Sequence, residues 1–161
     1  MIDIVVDEGV DMHRMPKAAR VAAAVRTALA LAGHSDSEPD LCIRFAGDEA
    51  VRQLNRQWRG KDAVTDVLSF PMQEGDIDPQ AYLGDIALAV PYVEGEALRL
   101  ARPAADHALH LIVHGVLHLL GYDHGDDAEA GRMQAVERRA MATLGLHDPY
   151  PETVEERTHA G

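Results

Sequence analysis

The chain has 161 residues, 47% of them hydrophobic and 26% charged, with 15 basic residues against 27 acidic ones and a formal net charge of −12. That length and balance describe one soluble globular domain with a real core, and they exclude a disordered chain and a membrane protein, because runs such as Ala28–Ala32 and Ile86–Val90 are far too short to span a bilayer. The acidity argues against nucleic-acid binding through bulk positive charge.

The N-terminus lacks the basic flank and apolar stretch of a signal peptide, and a single cysteine, Cys42, permits no internal disulfide, so a reducing, cytoplasmic location is expected. Ile2–Val6 reads as a short strand. Lys17–Ala32 is Ala-rich and predicts a helix ending at Gly33. After the loop His34–Asp40, Leu41–Ala46 alternates apolar and polar residues as a half-buried strand does. Asp48 is placed to cap a helix running to about Trp58, followed by the polar loop Arg59-Gly60-Lys61-Asp62. Val67–Phe70 is read as a strand stopped by Pro71, Gln73–Gln80 as an acidic loop and Leu83–Val90 as a central strand.

Pro91 starts a helical stretch, and Pro103 starts or kinks the next helix, which runs to Leu120. Gly121–Gly125 is a turn. Asp126-Asp127-Ala128-Glu129 has capping-box spacing and opens a last helix to about Leu144. Residues 1–148 are read as the domain, and 149–161, rich in Pro, Glu and Thr, as a flexible tail. The expected fold is α+β: one mostly four-stranded mixed sheet with about five packed helices.

Of nine histidines, five lie between His107 and His124. On a helix, His114 and His118 are one turn apart and about 40° around the axis, so both imidazoles can reach one metal ion. Gly121 suits the position that ends a helix and reverses the chain, which would bring His124 back toward the same point. Three neutral nitrogens with a fourth position open describe a catalytic zinc site, at the end of a central helix, better than a structural one. A histidine pair at this spacing is common on helices; the glycine and the third histidine carry the metal reading. His107 and His110 share the stripe and are expected to pack or hydrogen-bond near the sheet. Asp123 either orients a ligand histidine or serves the turn. A His-Glu-x-x-His protease needs a carboxylate beside its first histidine, and that position here is Gly115.

The run His114-Gly-Val-Leu-His118-Leu-Leu-Gly121-Tyr-Asp-His124 resembles the signature of the YbeY family of bacterial endoribonucleases, also called rRNA maturation factors. Two further blocks, Trp58–Pro71 and Leu83-Gly84-Asp85-Ile86, are similar to family blocks in order and spacing; Val64 stands where the family often has Pro. The resemblance implies that His114, His118 and His124 hold one Zn2+ per chain and that Arg59 is the functional basic residue of the cleft. It also implies a zinc-dependent, single-strand-specific endoribonuclease acting in 16S rRNA 3′-end maturation and ribosome quality control. Zinc-activated water would attack the phosphodiester, with ribosomal RNA and ribosome-associated proteins as partners and no membrane. Arginine suits such a role chemically, because its planar fork matches phosphate oxygens.

Several residues carry two readings. Lys61 adds phosphate affinity or is an ordinary surface lysine. Arg52 and Arg56 form a basic strip leading to the cleft or an ordinary solvated face. Asp85 serves as base or ligand-orienting partner, or is structural. Ser69-Phe70-Pro71 forms a substrate rim, although Phe70 is most simply core. Trp58 stacks on a base or, the simpler expectation, is buried under its helix. Two other functions compete: a zinc peptidase, which the missing Glu opposes, and a non-catalytic, metal-stabilised ribosome-assembly factor.

Overall fold

Alternation puts Leu41, Ile43 and Phe45 on one side of a strand and Cys42 and Arg44 on the other, and the whole sheet is built on that division. In the computed structural model, which describes residues 1–151, the strands are β1 (Ile2–Val6), β2 (Leu41–Ala46), β3 (Val67–Pro71) and β4 (Gly84–Ala89). The helices are α1 (Ala18–Leu31), α2 (Asp48–Arg59), α3 (Val90–Arg99), α4 (Ala104–Leu119) and α5 (Asp127–Thr143). The sheet order is β1-β2-β4-β3, with β1, β2 and β4 parallel and β3 antiparallel to β4 along an edge. This is the α+β fold with a four-stranded mixed sheet and five helices that the patterning predicts.

Register sets the two faces. Ile43 pairs with Ile86, and Ile86 with Ser69, so these share one face; Cys42 pairs with Asp85, and Asp85 with Phe70, on the other. The main core joins α1, α3, α4 and α5 to Leu41, Ile43, Phe45, Ile86 and Leu88. A smaller cluster of Ala46, Val51, Leu68 and Ala89 lies on the α2 side. Helix α4 is the central one: from His107 to Leu119 every residue is buried except His114 and His118, as its nearly unbroken apolar sequence requires. Among the described residues no helix is long and apolar enough to cross a membrane.

Three local readings are corrected. Asp48 does not cap its own helix; its carboxylate accepts the backbone N–H of Tyr92 at 3.0 Å and ties α2 to the first turn of α3. Trp58 is 64% exposed rather than buried under α2: it continues the Val51–Leu54 stripe, but at the last turn of the helix, where it lines an open groove with Leu54, Phe70 and Met72. Phe70 is only partly buried, since it faces the thinly covered side of the sheet. The Asp126 cap is as the spacing predicts, accepting the N–H of Glu129 at 2.8 Å. At the start of the expected tail, Pro149 is buried and Tyr150 is hydrogen-bonded to α5, while residues 152–161 lie outside the described residues.

Candidate metal centre

Helix α4 ends in a Schellman turn. Gly121 adopts φ +96°, its N–H donates to His118 O at 3.1 Å, and the N–H of Tyr122 donates to Leu117 O at 3.0 Å. The left-handed residue is a glycine because a Cβ disfavours this conformation. The reversal returns His124 to the end of the helix that carries His114 and His118. The three ring centroids lie 4.6, 5.0 and 5.9 Å apart, and one nitrogen from each ring falls within 4.8 Å of the others.

The donor set fits a metal ion on its own chemistry. His118 Nδ1 is 3.0 Å from the carbonyl oxygen of Tyr122, and His114 Nδ1 is 3.0 Å from Glu137 Oε1. Both partners are acceptors, so each ring carries its proton on Nδ1 and turns an Nε2 lone pair inward. The two Nε2 atoms face each other at 3.1 Å. Two lone pairs so placed repel unless a cation lies between the rings. Burial, reinforced by the His114 and His124 rings, pushes the His118 imidazole down to about 4, so it is neutral and able to ligate near neutral pH.

A cleft of about 420 Å³ opens over these rings. Its opposite wall is the α4-side face of edge strand β3, with Val67, Ser69 and Pro71, and Arg59 at the end of α2. The Arg59 guanidinium lies 5.8 Å from the Phe70 ring centroid and donates to the carbonyl of Ser69, which points it around the strand edge into the cleft. Among the described residues Arg59 has no carboxylate partner. Arg52, by contrast, is held by Asp62 at 2.8 and 3.1 Å and by Glu49 at 3.3 Å, so half of the strip expected from Arg52 and Arg56 is neutralised, while Arg56 donates to the Gln53 side-chain oxygen at 2.7 Å. Lys61 is exposed beside Arg59.

Asp85 lies on the far face of the sheet, exposed and accepting the Tyr82 hydroxyl, and does not line the histidine cleft. Asp123 serves the turn: its carboxylate accepts the backbone N–H of His124 at 2.8 Å, whereas the His124 ring nitrogen is 3.7 Å away. His107 and His110 are buried and hydrogen-bonded, but to helices rather than to the sheet: His107 Nε2 is 3.0 Å from Glu96 of α3, and His110 Nε2 is 2.8 Å from Glu137 of α5. Asp66, Glu96 and His107 form a second clustered group, already closed by the His107–Glu96 bond.

Glu137 is the residue that sequence reasoning missed. It is fully buried in an α5 stripe otherwise made of Met133, Ala140 and Met141. Burial would raise its carboxyl, but the hydrogen bonds from His110 and His114 outweigh that and bring it down to about 2. An acid at a core position of an amphipathic helix is the signal that marks it.

Comparison with known proteins gives one consistent answer. The family model for Endoribonuclease YbeY matches residues 8–145. The Endoribonuclease YbeY of Rhizorhabdus wittichii is 45% identical over 151 residues, covering 89% of this chain and 89% of that protein. That of Azorhizobium caulinodans is 45% identical over 153 residues, covering 92% and 95%. The solution structure of TM1509 from Thermotoga maritima aligns over 93% of this chain and 99% of that one with a TM-score of 0.55; at 23% identity this is a likeness of fold. Matched along most of its length by both the family model and these relatives, the chain belongs to the endoribonuclease YbeY family.

Proposed function

We propose that the protein is a zinc-dependent endoribonuclease that cuts single-stranded RNA, acting in 16S rRNA 3′-end maturation and ribosome quality control in the cytoplasm beside ribosome-associated proteins. The observation that supports this reading best is the pairing across one cleft of three convergent imidazoles with an arginine that has no carboxylate partner among the described residues. His114, His118 and His124 would hold one zinc ion, which when bound supplies a Lewis acid and lowers the pKa of water. Arg59 keeps N–H donors beyond the one given to Ser69, and these bind a phosphate and steady charge that develops on its oxygens. The Phe70 ring beneath and the Ser69 carbonyl hold the guanidinium in place, so little is lost in orienting it. Val67 and Pro71 give the same wall an apolar surface.

Gly115 weighs against a peptidase. A Cβ there would come within 3.0 Å of Ile86 and 3.1 Å of Ser69 Oγ, so the protease's glutamate would have to push both side chains aside. The test is zinc content by plasma mass spectrometry together with cleavage of a single-stranded rRNA fragment. Wild type should hold about one zinc per chain and cut; His114→Ala should lose both. Arg59→Ala should keep its zinc and fold while cleavage falls by about 100-fold or more. Intact RNA with zinc-loaded wild type would sink the nuclease reading. Unfolding on zinc removal, with Arg59→Ala fully functional, would favour a metal-stabilised assembly factor, and casein cleavage abolished by His118→Ala a peptidase.

A further inference from the structure

Glu137 brings a full charge into the core, and among the described residues no lysine or arginine is paired with it. Three donors surround it: His110 Nε2 at 2.8 Å and His114 Nδ1 at 3.0 Å, both on Oε1, and the Tyr150 hydroxyl at 2.9 Å from each carboxylate oxygen. A buried carboxylate is tolerated only when its oxygens are satisfied in this way. Because the ionised group only accepts, it dictates where the His114 proton sits and therefore which nitrogen of that ring faces His118 and His124.

Tyr150 is itself fixed. Its ring stands edge-on to His110 at 5.6 Å, and the Arg138 guanidinium lies 5.8 Å from its centroid while donating to its carbonyl at 2.7 Å. Asp148 accepts from Arg138 at 3.2 Å, so the segment after α5 folds back over the helix as a strap. That strap lies beyond residues 8–145, where the family model matches.

We propose that Glu137 is a positioning residue for His114, and that the Tyr150 hydroxyl completes it, so that the strap after α5 tunes metal affinity from outside the histidine turn. The proposal rests on the reading of His114 as a metal ligand, and its test separates the two. Zinc affinity of the full-length chain is measured by competition with a chromophoric chelator for wild type, Glu137→Gln, Tyr150→Phe and the double variant, with imidazole 15N shifts recorded for the metal-free proteins. Glu137→Gln should bind zinc about 10- to 100-fold more weakly, and its His114 ring should lose the single Nδ1–H form. Tyr150→Phe should lose about fivefold, the scale of one hydrogen bond. The double variant should bind no worse than Glu137→Gln alone, because Tyr150 acts through the carboxylate.

Wild-type affinity and an unchanged His114 signal in Glu137→Gln would overturn the positioning role. Full additivity in the double variant, or wild-type affinity in Tyr150→Phe, would overturn the part given to the strap. Should Glu137→Gln not fold, Tyr150→Phe with its His114 signal decides alone. A wild-type protein that takes up no zinc would instead remove the metal reading beneath both.

Discussion

A methyl group added at position 115 would sit 3.0 Å from Ile86 Cδ1 and 3.1 Å from Ser69 Oγ, closer than carbon normally approaches either. The glycine is therefore where the central helix comes down onto β3 and β4, and it fixes the height of His114 above the sheet. One absent side chain thus accounts for both the close packing and the missing protease base. Gly115→Ala should destabilise by about 1–3 kcal/mol, as overpacking of a core does, and lower the melting temperature by roughly 2–4 °C for each kcal/mol. Calorimetry checks this, and an unchanged melting temperature would mean that Ile86 and Ser69 yield freely. Residues of this kind are only half legible in a sequence. Gly115 is visibly not Glu, but the contacts that crowd a side chain there come from strands 29 and 46 positions away.

At the scale of the element, helix and turn chemistry proved readable wherever it is local. Pro103 precedes α4, Gly121 ends it and Asp126 caps α5, each bonding within a few residues of itself. Strand β2 carries the expected bounds because its alternation is intact, and β1 because it is a short run that is apolar except for Asp3. Asp48 and Glu137 were misread or missed for the opposite reason: their partners lie 44, 27 and 23 residues away, and periodicity holds no record of such contacts. The two local signals around the histidine turn make a paired prediction. Gly121→Ala places a Cβ in open space but in a left-handed conformation, at about 1–2 kcal/mol. It should also weaken zinc binding, because the same turn sets the Tyr122 carbonyl that holds His118 and the return of His124. Asp126→Ala removes a cap just beyond the turn, at about 1 kcal/mol, and should leave zinc binding as it was. Melting curves alone would not distinguish the two variants; zinc titration should.

At the scale of the whole molecule, a net charge of −12 has to coexist with an RNA substrate. Ion pairing leaves that net charge as it is but shows which cations are already spent: Arg20 with Asp106, Arg26 with Glu38, Arg44 with Asp7, Arg52 with Asp62 and Arg138 with Asp148 are all within 3.2 Å. Among the described residues, the cations without a carboxylate partner on this side are Arg56, Arg59 and Lys61, at the end of α2 and the loop after it. Such a footprint is small and local, so binding should respond weakly to salt. Each phosphate neutralised on a single strand contributes about −0.7 to the slope of log K against log salt, which gives a wild-type slope near −2 for about three contacts. Arg59→Ala should flatten it by about 0.7, while Arg52→Ala should leave it in place, since that guanidinium is already engaged by Asp62 and Glu49. Anisotropy of a labelled, non-cleavable single-stranded oligonucleotide between about 50 and 200 mM salt measures all three. A wild-type slope steeper than about −5 would mean that RNA engages cations well beyond the end of α2, and the picture of one local cationic wall would fall. With a slope near −2 the protein would hold RNA only loosely by itself, and selection among RNAs would then fall to whatever presents the strand to the cleft, a part that the proposed ribosome-associated partners could fill.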